Sequence, residues 1–159
     1  MTHPRKPSLL TLLVTWFYVG KLPKMPGTWG SLAALPLIWF LHDKLALSMG
    51  IILCLFFLSW IGIARYIREF PNNTDPQEIV VDEVIGQWIA LLFAPQTLAW
   101  FIAGFLLFRF FDIVKPFPVS WADDLKGSRC ISSLGIVLDD VFAGLMALGI
   151  MRCVQYFFT

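Results

Sequence analysis

The chain has 159 residues, 58% of them apolar and only 14% charged, with fifteen Phe, seven Trp and a net charge of +1. Soluble domains carry about 25% charged residues, so the composition argues against a water-soluble globule and for one membrane domain. The net charge says nothing about nucleic acid, but no basic patch interleaved with aromatics appears, so no nucleic-acid partner is expected. Cys54, Cys130 and Cys153 give no even disulfide framework and no metal-type spacing. A thiol phosphatase loop needs Arg six residues after its Cys, and those positions hold Trp60, Ile136 and Thr159.

From the N-terminus, Arg5 and Lys6 precede the apolar stretch at 8–20, as in a signal peptide, but no small-x-small cleavage site follows. Thirteen residues do not cross a bilayer, so the stretch predicts a short interfacial or half-spanning helix. Residues 1–25 are read as an N-terminal interfacial segment and 26–159 as a single membrane domain. Further apolar runs predict crossings near 30–41, 45–64, 79–94, 97–114 and 134–151; the first is short and contains Pro36, which marks it as kinked or re-entrant. The expected fold is an all-α integral membrane protein, a compact bundle of about four to five transmembrane or half-spanning helices plus the N-terminal helix.

The turns at 42–44 and 95–96 fall on one side of this topology and carry a single cation, Lys44. The other side carries nine: Arg5, Lys6, Lys21, Lys24, Arg65, Arg68, Lys115, Lys126 and Arg129. The positive-inside bias makes the nine-residue side cytoplasmic. Asp82-Glu83, Asp139-Asp140, Asp112, Lys115 and the PGTWGS segment (26–31) all fall toward that face.

The two acidic pairs are costly where they stand. A carboxylate at mid-bilayer costs roughly 2.5–3.5 kcal/mol, so a pair costs about 5–7. The nine Val, Ile, Leu and Phe residues of 79–94 return only about 3–5 kcal/mol. The pairs must therefore lie near an interface, face a polar cavity or be neutralised by a cation. In DEVIG (82–86) and DVFAG (140–144) an Asp precedes a Gly by four residues, one helical turn. Glycines there allow two helices to cross closely with the carboxylates gathered above the contact. Such hard oxygen ligands suit Mg²⁺, so Asp82, Glu83, Asp139 and Asp140 are the candidate metal ligands and catalytic groups.

Arg109 and Asp112 share a helical face: either an intrahelical ion pair, or Arg109 grips a phosphate while Asp112 orients it or binds metal. Lys115 either snorkels to the headgroup level or contacts the phosphate. At 26–31, Gly27, Gly30 and a helix N-terminus, with the Thr28 and Ser31 hydroxyls, form a candidate anion site. The plain alternative is a helix cap, with Thr28 as N-cap and Trp29 as an interface anchor. Metal, arginine and an anion loop on one membrane face point to a phosphate-bearing lipid headgroup. The CDP-alcohol phosphotransferase pattern and the DxDx(T/V) motif are absent, and neither His3 nor His42 suits a histidine-based lipid phosphatase.

PGTWGSLAALP (26–36), DEVIGQW (82–88), FRFFDIVKPFP (108–118) and DDVFAG (139–144) closely resemble the bacterial phosphatidylglycerophosphatase A family, in the family's order and spacing. The resemblance covers roughly residues 20–150. It implies Mg²⁺-dependent removal of the terminal phosphate from phosphatidylglycerophosphate, giving phosphatidylglycerol, by a multi-pass protein of the bacterial inner membrane. The four paired acids would bind one or two Mg²⁺, with one of them, Glu83, left as general base; an aspartyl-phosphate route through one Asp is the alternative. Arg109 and the 27–31 loop would stabilise the equatorial oxygens. The rival from another class is a small cation- or proton-coupled transporter, since intramembrane carboxylates also mark those. Against it, the acidic pairs sit toward one face and no inverted repeat is evident.

Overall fold

In the computed structural model, which describes residues 9–69 and 77–158, every regular element is helical. The chain runs α1 (Leu9–Val14), a 3₁₀ turn (Val19–Lys21), α2 (Pro26–Leu41), α3 (Leu45–Glu69), α4 (Val81–Leu91), α5 (Leu98–Val114), α6 (Val119–Asp123) and α7 (Arg129–Phe158). The expected basic pair Arg5 and Lys6 lies outside the described residues.

Two helices, α3 with 25 residues and α7 with 30, are long and apolar enough to cross a bilayer. α4 is not: its eleven residues rise only about 16 Å, so the run at 79–94 holds a half-span instead of a crossing. Ile79 and Val80 precede the helix, and the Val80 N–H donates to Val14 O at 3.0 Å. Pro95 lies just beyond its other end. Ten of the eleven α4 residues are buried, because α2, α3, α5 and α7 surround it. Its acids consequently face protein.

α4 crosses α7 at a pair of glycines. A Cβ on Gly86 would meet Asp140 O at 2.5 Å, and one on Gly144 would meet the Gly86 Cα at 3.0 Å. Only bare backbone fits there, as the Asp-x₃-Gly spacing predicts. The α2–α3 and α4–α5 turns lie together at the opposite end. His42 Nε2 bonds Ala94 O, and Gln96 Nε2 donates to Trp39 O at 2.9 Å.

α2 starts earlier than the sequence predicts and runs unbroken through Pro36. Pro26 takes its first position, where its missing N–H costs nothing, after Lys24 and Met25 in the left-handed region. Met25, not Thr28, is therefore the N-cap residue, and Trp29 Nε1 donates back to Lys24 O at 3.1 Å. α1 lies on α3 at Gly62, where a Cβ would meet Val14 Cγ1 at 3.1 Å. Val14 is buried with Ile63, Tyr66 and Ile85 in the core.

Candidate active site

The four polar elements meet in one cavity of about 480 Å³. α4 contributes Asp82 and Glu83, α7 Asp139 and Asp140, α5 Arg109, Asp112 and the following Lys115, and the start of α2 brings Gly27. α6, which the sequence reading did not anticipate, adds Asp123. Among the described residues, six carboxylates thus line a space that holds two cationic side chains.

Three of the acids cluster. Asp82, Glu83 and Asp140 each offer an oxygen, and these oxygens lie within 4.8 Å of one another. Glu83 Oε2 and Asp140 Oδ1 are buried and lack a hydrogen-bond partner. Orphaned carboxylate oxygens are expensive away from water unless a cation meets them. Hard oxygen donors at this separation, with a surplus of negative charge, fit a divalent cation of the Mg²⁺ type.

Asp139 stands apart from that trio. Its Oδ2 accepts from Lys115 Nζ at 2.8 Å, and its Oδ1 caps the Asp140 N–H at 2.9 Å. Lys115 also reaches Asp123 Oδ1 at 2.5 Å, so it is a bridge between α6 and α7 as well as part of the cavity wall. Burial works against the Lys115 charge, but Asp139 and Asp123 outweigh it and hold its pKa above the ordinary lysine range.

Arg109 Nη1 pairs with Asp112 Oδ2 at 2.5 Å, one turn apart on α5, while its Nε has no hydrogen-bond partner. The start of α2 comes close enough that a Cβ on Gly27 would lie 3.1 Å from both Arg109 Nη1 and Glu83 Cδ. Gly27 therefore keeps the α2 N-terminus beside the acids. The rest of the 27–31 loop does not line the cavity. Ser31 Oγ donates to Gly27 O at 2.9 Å, Gly30 packs its backbone on Val80, and the Thr28 hydroxyl is buried without a partner. Gln87, one turn below Glu83, is buried with both amide atoms unpartnered. It stands inside the DEVIGQW block, but nothing in its spacing marks it out.

A family model described as Phosphatidylglycerophosphatase A matches residues 12–155. The chain belongs to the phosphatidylglycerophosphatase A family. An Escherichia coli K12 protein named Phosphatidylglycerophosphatase A is 35% identical, over 88% of this chain and 80% of its own. A Haemophilus influenzae protein of the same name is 36% identical, over 96% of this chain and 94% of its own. A Bacteroides thetaiotaomicron protein named as a candidate phosphatidylinositol-3-phosphatase is 39% identical, over 88% and 90%. No solved structure matches the chain significantly. As a member of the phosphatidylglycerophosphatase A family the protein is a phosphatase, and the transporter reading falls.

Proposed function

We propose that the protein is a Mg²⁺-dependent membrane phosphatase acting on phosphatidylglycerophosphate at the cytoplasmic face of the inner membrane. Its products would be phosphatidylglycerol and inorganic phosphate. The observation that carries this reading is the acidic cluster Asp82, Glu83 and Asp140 facing Arg109 and Lys115 across one cavity. Exposed apolar side chains such as Leu53, Phe57, Ile113 and Tyr156 support the membrane setting, since a soluble surface rarely shows so many.

Asp82, Glu83 and Asp140 would hold Mg²⁺, which when bound supplies positive charge that screens the phosphomonoester and polarises its P–O bonds. Arg109, held by Asp112, would grip the phosphate oxygens, and Lys115 would add charge at the rim. The free Oε2 of Glu83 would take the proton of the attacking water as the new P–O bond forms and return a proton to the glycerol oxygen as its bond to phosphorus breaks. The Gly27 N–H at the start of α2 would face the same phosphate, since the next two N–H groups donate to Met25 O.

The test is phosphate release by purified protein in mixed micelles, comparing phosphatidylglycerophosphate with phosphatidylinositol 3-phosphate at matched surface concentration. Faster turnover of phosphatidylglycerophosphate supports the reading. Preference for the inositol lipid would reassign the substrate and leave the phosphatase site standing.

A further inference from the structure

Three arginines outside the acidic cavity stand together and take no part in the chemistry above. Arg65 and Arg68 are three residues apart near the end of α3, and Arg129 opens α7. Together they line a groove of about 690 Å³ whose inner wall is Trp60, Ile61 and Ala64. All three arginines are exposed, and none has an ion-pair partner among the described residues. The groove is built, not a chance meeting of loops: Trp60 Nε1 donates to Cys130 O at 2.9 Å and ties α3 to α7 at this point. The first turn of α7 adds the positive end of a 30-residue helix.

The groove's lining is almost wholly apolar, and the three exposed arginines bring their charge to its upper part, at the helix ends. A free phosphate would match only the upper half. An anionic phospholipid matches both. Among the described residues α3 and α7 are also the two helices long and apolar enough to cross a bilayer, and such a crossing would set their arginine-bearing ends at headgroup level.

We propose that this groove is a second phospholipid site, which binds the phosphate of an anionic glycerophospholipid between Arg65, Arg68 and Arg129 and rests its glycerol and chains on Trp60 and Ile61. The proposal rests on the membrane setting but not on the identity of the substrate. The site is separate from the catalytic cavity: Arg129 and Asp139 are ten residues, roughly 15 Å, apart along α7. It would bias the lipid around the enzyme toward anionic species.

The experiment is native mass spectrometry of the full chain released from nanodiscs containing equal phosphatidylglycerol and phosphatidylcholine. Wild type should retain one phosphatidylglycerol selectively. The R65Q/R68Q/R129Q variant should bind it on the order of a hundredfold more weakly, about fivefold per arginine, while the R65K/R68K/R129K variant keeps most of the binding. Equal retention by wild type and the glutamine variant, or equal retention of phosphatidylcholine, overturns the proposal. Displacement by millimolar inorganic phosphate makes the groove a free-phosphate site and overturns the lipid assignment. If the glutamine variant loses its helicity, Ala64→Trp fills the groove with the arginines intact, and unchanged retention there is equally fatal. A chain that stays soluble without detergent or lipid sinks this proposal together with the membrane setting. Loss of phosphatase activity alone sinks neither.

Discussion

The α4–α7 crossing sets the acidic cluster, and Gly86 and Gly144 set the crossing, so alanine at either position should disable the enzyme from a distance. A Cβ on Gly86 would lie 2.5 Å from Asp140 O and 2.8 Å from Phe108 Cζ, where ordinary contact begins at 3.4 Å. The helices must part by roughly 0.9 Å to accept it, and Asp82 and Asp140 ride on the two surfaces that separate. Overpacking of this kind costs about 1–3 kcal/mol, and a misplacement near 1 Å costs about 10²-fold in rate. Gly144→Ala meets the Gly86 Cα at 3.0 Å and should behave alike. Gly50 and Gly149 have nothing within 4 Å of an added Cβ, so alanine there should be neutral or stabilise by about 0.5–1 kcal/mol. Phosphate release and thermal unfolding in detergent, run on all four variants, read both effects. Wild-type activity in Gly86→Ala and Gly144→Ala would refute the crossing as the element that positions the acids.

The remaining predictions concern single side chains. Asp82→Asn and Asp140→Asn should each lower kcat by about 10³-fold with helicity by circular dichroism unchanged, because each takes a negative oxygen donor from the proposed Mg²⁺ site. Arg109→Lys keeps the charge but loses the planar fork, and should lower kcat/KM by about 10²-fold in the same assay. Lys115→Met leaves Asp139 and Asp123 without their shared cation; with Lys115 one-third exposed, the loss is roughly 1–2 kcal/mol, read as a lower Tm. Adding Asp139→Asn should restore most of it. The elevated Lys115 pKa makes this contribution fully present below the ordinary lysine value near 10.4 and lost only as pH rises through the higher folded value. The Tm gap between wild type and Lys115→Met should thus stay constant from pH 7 to 10.

Much of the site was legible because its signals are local. An Asp four residues before a Gly on two apolar helices is enough to anticipate a close crossing topped by carboxylates, and the Gly86–Gly144 contact has that form. The two short turns at 42–44 and 95–96 lie on one side, as the alternation of apolar runs predicts. What escaped depends on packing across the chain. The Asp-x₃-Gly spacing puts Asp140 on the Gly144 face, but adjacent helical residues point about 100° apart and nothing local shows what meets Asp139; Lys115 and α6 claim it. Hydropathy over 79–94 marks burial without marking direction, and so could not show that α4 is a buried half-span. Gly30 and Ser31 looked like parts of an anion loop, but one serves close packing on Val80 and the other bonds its own helix backbone.

The most direct test of the central claim is phosphate release from phosphatidylglycerophosphate by the purified wild-type protein, stripped with EDTA and titrated with Mg²⁺. The same titration is run on Asp140→Asn. The account predicts saturable Mg²⁺-dependent release in wild type, and in the variant a lower rate that needs more Mg²⁺ to reach half its maximum. Full activity in EDTA, or an identical Mg²⁺ dependence in Asp140→Asn, would contradict it.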